Sequence, residues 1–148
     1  MNKTEEKIID TNVSKLLLDT HILIWYAEGL KLSQSQVKAI DKARNSNSLL
    51  FSPISIWEIT MLVDKKRISL SLPLEQWISK LTGLTGLSSI DLSIEILIES
   101  CKLPNYPHKD PVDRMILSTA RFSGASLITM DQKMVDYGNK GYVKILQT

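Results

Sequence analysis

A chain of 148 residues, 43% hydrophobic and 23% charged, has the make-up of one ordinary globular domain with a sizeable core. Its net charge of +2 excludes the strong global field of a nucleic-acid coat or membrane-surface protein, so any attraction for a polyanion has to be local. The single cysteine excludes a disulfide framework, and with no apolar run of bilayer length and no signal-peptide core in residues 1–6 the expected home is the cytosol.

Residues 15–18 read as a buried strand, followed by a helix over 20–28 and another over 33–45. Residues 49–51 form a short strand. Pro53 suits a first helical position with Ser52 as its cap, and that helix runs to about residue 65. It is apolar nearly all round, which predicts burial on more than one side. A helix over 73–81 stops at Gly83; a strand over 88–92 and a helix over 93–102 follow. Residues 103–108 are a Pro-rich loop, Pro111 opens a helix to about Phe122, and Gly124 closes it. A strand over 126–129, a short helix over 132–137 and a final edge strand over 143–146 complete the chain. Strands alternating with helices predict an α/β fold with a parallel sheet. Cys101 lacks the electropositive surroundings of a reactive thiol and reads as a buried packing residue. Lys65-Lys66-Arg67, Lys109 with Arg114, and Arg121 are the local basic candidates; each also reads as solvated surface, the first as a helix C-terminus that favours cations.

Acidic side chains recur where apolar runs give way to helix starts. Asp19 closes Leu16-Leu17-Leu18, Glu58 follows Leu49-Leu50-Phe51 across Ser52-Pro53, Asp113 follows Asp110-Pro111, and Asp131 follows Leu127-Ile128-Thr129-Met130. In a parallel sheet all such positions lie along one edge, where ligands bind. Each acid has a local explanation: Asp19, Asp110 and Asp131 as helix N-caps, Glu58 in a capping box with Ser55, and Asp113 at the positive end of a helix dipole. Helical phase argues further. Glu58 shares a face with Ile54, Met61 and Leu62, and Asp113 with Ile116, Leu117 and Ala120, so both should point inward. Buried carboxylates need a partner or a metal, and oxygen-only ligands suit magnesium or manganese. Such a site points to metal-assisted phosphate chemistry. His21 and His108 lack zinc-ligand spacing and read as structural.

The same stretches resemble the PIN-domain ribonucleases, in particular the VapC-like toxins of bacterial toxin–antitoxin pairs. They are Leu17-Leu18-Asp19-Thr20-His21-Ile22-Leu23-Ile24-Trp25, Ser52-Pro53-Ile54-Ser55-Ile56-Trp57-Glu58-Ile59, Leu103-Pro104, His108-Lys109-Asp110-Pro111-Val112-Asp113-Arg114-Met115-Ile116, and Leu127-Ile128-Thr129-Met130-Asp131. Their order holds over nearly the whole chain. The resemblance implies a PIN-like three-layer α/β/α fold over residues 15–148. It also implies Mg2+ or Mn2+ held by Asp19, Glu58, Asp113 and Asp131, and endonucleolytic cleavage of an RNA substrate. Thr129 is then a hydrogen-bond partner of one of these acids. Arg114 steadies the cluster or contacts phosphate, and Asp110 caps its helix and at most supports the site from outside. The family further implies a cognate antitoxin protein that silences the site, and a homodimer. An apolar cleft between helices would receive the antitoxin; Trp25, Trp57 and Trp77 are candidates for it, though their helical spacing reads first as core.

The family begins almost directly with its first strand, whereas residues 1–14 precede it here as a flexible extension, or as one that packs on a neighbouring subunit. Ile8-Ile9-Asp10-Thr11-Asn12-Val13 itself resembles the opening motif. Asp19 is favoured over Asp10 because it follows a longer apolar run and precedes the helix-like Ile22-Leu23-Ile24-Trp25. Two other functions fit parts of the pattern. A haloacid-dehalogenase-like phosphatase also starts with Asp at a strand end, but it requires a second Asp where His21 stands. A catalytically inactive PIN-like module that binds RNA or protein would have no reason to keep all four acids.

Overall fold

In the computed structural model, which describes residues 14–147, β1 (Leu16–Leu18) is apolar at every position because it lies inside a parallel sheet, covered on both faces. It pairs with β2 (Leu49–Phe51) on one side and β4 (Ser126–Ile128) on the other, while β3 (Leu87–Ser89) adds to β2, giving the order β3-β2-β1-β4. Register is fixed by the pairs Leu17↔Leu50 and Leu17↔Leu127. Because side chains alternate across a strand, successive leucines feed two different cores.

Leu16, Leu18, Leu49, Phe51 and Ile128 face one layer of helices: α1 (Thr20–Glu28), α2 (Gln34–Asn45), α3 (Pro53–Asp64) and α4 (Leu74–Thr82). That layer supplies Ile22, Leu23, Ile40, Ile59, Trp77 and Leu81. On the other face Leu17 and Leu127 meet Val112, Ile116 and Leu117 of α6 (Pro111–Ser123) and Met134 and Tyr137 of α7 (Gln132–Asn139). Each fully buried aliphatic side chain contributes roughly 1.5–3 kcal/mol. The short α5 (Ile94–Ser100) packs on α6, where the Ser118 hydroxyl donates to the Ile96 carbonyl at 2.7 Å. The result is the three-layer α/β/α architecture expected from the sequence.

The helix starts follow local chemistry. Ser33 and Gln36 cap α2 reciprocally, Ser52 caps α3 ahead of Pro53, and Asp110 caps α6 ahead of Pro111. Gly124 ends α6 in the left-handed region at φ 70°, where a Cβ would be strained.

Several sequence expectations are corrected. The final edge strand reduces to a single bridge, Leu127↔Ile145, because the chain touches β4 at one point only, held by Leu127 N–H to Lys144 O and Leu146 N–H to Leu127 O. Ile145 presses there on Gly138, leaving no space for a Cβ at that position. Helix α3, by contrast, does pack on more than one side, as expected: Ile54 meets the core beneath α6 while Ile56, Ile59, Leu62 and Val63 meet the other core, and the side carrying Trp57, 54% exposed, opens to solvent. No capping box joins Ser55 to Glu58, since Ser52 is the cap and the buried Ser55 hydroxyl instead meets that of Thr20 at 2.9 Å. Cys101 is exposed, because the inward face of α5 is set by Ile96 and Ser100 and the next residue turns outward. Asp10 lies outside the described residues. Among the described residues no helix is long and apolar enough to cross a membrane.

Candidate active site

The C-terminal ends of β1 and β4 are neighbours, so the residues that leave them are neighbours too. Asp19 follows Leu18 directly and caps α1, its Oδ1 accepting from the Thr20 amide at 2.8 Å. Its own N–H donates to Ile128 O at 3.0 Å, which pins it against β4. Thr129, the first residue past β4, is buried and donates its hydroxyl to Asp19 Oδ2 at 2.6 Å. The Thr129 hydroxyl oxygen in turn accepts from the Asp131 amide at 3.0 Å. One hydroxyl therefore ties the first acidic loop to the last. Asp131 caps α7, its Oδ1 accepting from Lys133 N–H at 2.9 Å.

Asp113 enters from the other core layer. Asp110 caps α6 by accepting from the amides of Val112 (2.9 Å) and Asp113 (3.1 Å), and this sets the phase of the helix. Ile116, Leu117 and Ala120 are then buried beneath the face that Asp113 leads. Glu58 stands on α3, half-buried, opposite the start of α1. The cap readings are thus true of Asp19, Asp110 and Asp131, and each of these charges also raises at least one neighbouring acid.

The carboxylates interact by charge. Asp113 is pushed up to about 7, chiefly by burial and then by Asp110, Asp131 and Asp19, against which Lys133 helps little. Asp19 is also held above the usual carboxylate range by burial, with Asp131 adding to it and the bonds from Thr129 and Thr20 and the charge of His21 opposing it. Glu58 is raised by burial and by Asp19 and Asp110, while the Thr20 hydroxyl and His21 lower it. Groups displaced together in this way mark a functional site more often than a structural one. The Lys133 ammonium lies 3.8 Å from Asp131 Oδ2 and 4.0 Å from Asp113 Oδ2, a loose and solvent-exposed pairing that offsets little of the repulsion.

Arg114 is engaged by the loop before α6. Its Nη1 donates to the carbonyls of Tyr106 (3.2 Å) and His108 (3.3 Å), and its guanidinium lies 5.6 Å over the Tyr106 ring. It thereby organises the loop that leads into α6. Three side chains at the site escape a reading by motif. Lys133 sits two residues past Asp131 and looks like ordinary helix surface; His21 is exposed, yet close enough to lower both Asp19 and Glu58; Tyr106 is buried inside a loop whose prolines conceal it. Only the i+2 offset of His21 from Asp19 carried any signal.

The donor set is rich in carboxylate oxygen and contains no sulfur, which suits a hard divalent cation. Among the described residues no three His, Cys, Asp or Glu side chains stand at the mutual spacing of a formed metal site. Like charges at an acidic pocket repel, and an ion between them would remove the repulsion that lifts Asp113.

The PIN domain family model matches residues 16–140. The chain is 29% identical over 123 residues to Ribonuclease VapC22 of Mycobacterium tuberculosis, covering 82% of this chain and 91% of that one. Among solved structures it resembles VapBC2 from Rickettsia felis bound to a DNA fragment from its promoter, with TM-score 0.64 and 21% identity over 88% of this chain and 96% of that one. A toxin–antitoxin complex from Klebsiella pneumoniae is similar at TM-score 0.59 and 24% identity, covering 90% and 97%.

Proposed function

The chain belongs to the PIN domain family, and from that premise we propose that it is a metal-dependent endoribonuclease, the toxin of a toxin–antitoxin pair. The observation that supports this reading is geometric: the Thr129 hydroxyl ties the Asp19 carboxylate to the Asp131 amide at the ends of β1 and β4, and the Lys133 ammonium lies within 4.0 Å of both Asp113 and Asp131. Likeness to a relative named a ribonuclease and to toxin–antitoxin complexes supports it. The family match begins at residue 16, which favours Asp19 over Asp10 as the first acid.

Asp19, Glu58, Asp113 and Asp131 would hold Mg2+ or Mn2+. When bound, such an ion lowers the pKa of a water and offsets charge on a phosphodiester undergoing displacement. The chain's own residues do the rest. Thr129 orients Asp19 through Oδ2 while the Thr20 amide holds Oδ1. Asp110 fixes the first turn of α6 and hence the direction of Asp113. Asp113 is raised to about 7 by burial and the neighbouring acids, and a cation held there would favour its ionised form. Arg114 holds the loop before α6 in place, and Lys133, half-exposed at the rim, is placed to meet a phosphate. Trp57, beside Glu58 and open to solvent, offers an apolar contact to an antitoxin segment that covers the site. A homodimer is proposed through α5, whose Ile94, Leu97 and Ile98 form an outward apolar stripe.

The competing reading, a metal-free PIN-like binding module, draws on Lys133, which already partly balances Asp113 and Asp131. Cleavage of a mixed RNA pool with Mg2+ or Mn2+ separates the two. The wild type should cut and Glu58→Gln should lose activity by a factor of about 100 or more, as expected when a group acting in the transition state is removed. RNA binding without cleavage, unaffected by either ion, would favour the module.

A further inference from the structure

Tyr106 is built into the molecule as an aromatic core residue, but its hydroxyl does not behave as one. The side chain is 5% exposed and belongs to the core cluster with Val112, Met134 and Tyr137. Its ring meets Tyr137 edge-on at 4.9 Å and His108 at 5.1 Å, and Arg114 covers it while holding the Tyr106 carbonyl. The ring therefore has little freedom to turn. Tyr137 next to it donates its hydroxyl to Pro104 O at 2.6 Å. The Tyr106 oxygen has no partner, and it is the one buried side-chain nitrogen or oxygen of which this holds among the described residues. An unmade hydrogen bond at a buried hydroxyl destabilises a fold, and phenylalanine would fill the same space without that penalty.

Arg114, which holds Tyr106 by ring and carbonyl, directly follows Asp113 in the chain, and Val112, which precedes it, packs in the same core cluster as Tyr106, so the ring borders the first turn of α6. The phenol is thus an unpartnered donor against the element that carries Asp113. Its neighbours Val112 and Asp113 sit on the turn that carries the acid into the pocket. A fixed, unpaired donor next to a carboxylate that must adopt a defined orientation is the arrangement by which outer groups steer a metal ligand.

We propose that Tyr106 is a positioning residue for the site: when a divalent cation is held by the acids, its hydroxyl donates to the Asp113 carboxylate, directly or through one buried water, and fixes that carboxylate's orientation. This rests on the reading of the acids as a metal centre. The test compares the full-length wild type with Tyr106→Phe, by Mn2+ titration calorimetry and by thermal melting without metal. Tyr106→Phe should melt at the same temperature as the wild type or higher, and bind Mn2+ about 10–100-fold more weakly, the range for loss of a group that orients a ligand. Cleavage by the variant should recover as Mn2+ is raised, as a defect in ion affinity requires. Equal Mn2+ affinity in both proteins overturns the positioning role and leaves the metal centre standing. A lower melting temperature in the variant also overturns it, since the hydroxyl would then have a partner in the fold itself. A wild type that binds no Mn2+ removes the metal centre, and the role of Tyr106 with it.

Discussion

Asp113 concentrates the electrostatic strain of the pocket in one carboxylate, and its titration has a definite sign. Its native value of about 7 lies above the ordinary 3.8, so between those values the native chain binds a proton that the unfolded chain has lost. Stability of the metal-free protein is therefore greatest below the ordinary carboxylate range and falls as pH rises toward 7; Asp19 and Glu58, also raised, add to the same slope. Asp113→Asn should flatten the curve. At pH 8 it should stabilise the metal-free protein by about 2 kcal/mol, roughly half of what the full shift corresponds to, because water at the open pocket screens the charge. Thermal melts from pH 5 to pH 8 check this, and a wild type that gains stability with rising pH would contradict it. At this scale the inward direction of Asp113 was legible from its spacing to Ile116, Leu117 and Ala120. The roles of Tyr106 and Lys133 were not, because neither burial within a loop nor a contact across two helix starts leaves a periodic trace in sequence.

Helix α6 shows how one element serves both fold and site. Asp110 and Pro111 start it, Asp113 occupies its first turn, and Val112, Ile116 and Leu117 anchor it to the sheet. The cap stabilises the helix while its charge raises Asp113, so the two effects of removing it oppose each other and separate with pH. Asp110→Ala should destabilise by about 1 kcal/mol at pH 5, where Asp113 is protonated and only the cap is lost. At pH 8 the loss should be smaller, since relief of repulsion offsets it. Denaturant unfolding at both values measures the difference, and an equal loss at the two would separate Asp110 from Asp113. Most elements were readable because their boundaries carry local chemistry: Ser33, Ser52-Pro53, Asp110-Pro111 and Gly124 stop or start a helix by their own hydrogen bonding. The last strand was not readable. It depends on how much of the β4 edge the chain meets.

At the scale of the whole molecule, the parallel sheet explains why distant stretches converge: β1 and β4 are adjacent, so Asp19 and Asp131 leave the same edge although 112 positions separate them, and α6 brings Asp113 over that edge. Chain order alone foretold the edge, since alternating strands and helices place every strand exit on one side. Away from the site, the α5 stripe of Ile94, Leu97 and Ile98 is open to solvent and suits a second copy of the chain. Leu97→Glu with Ile98→Glu should convert a dimer to a monomer by sedimentation while leaving the fold intact; a wild type already monomeric at high concentration would contradict that interface.

The most direct measurement is Mn2+ binding to the full chain by titration calorimetry, for the wild type, Asp19→Asn and Asp10→Asn. Saturable binding is expected in the wild type and in Asp10→Asn and lost in Asp19→Asn. A wild type that takes up no ion, or an Asp19→Asn protein that binds as the wild type does, would contradict a shared carboxylate centre at the end of the sheet.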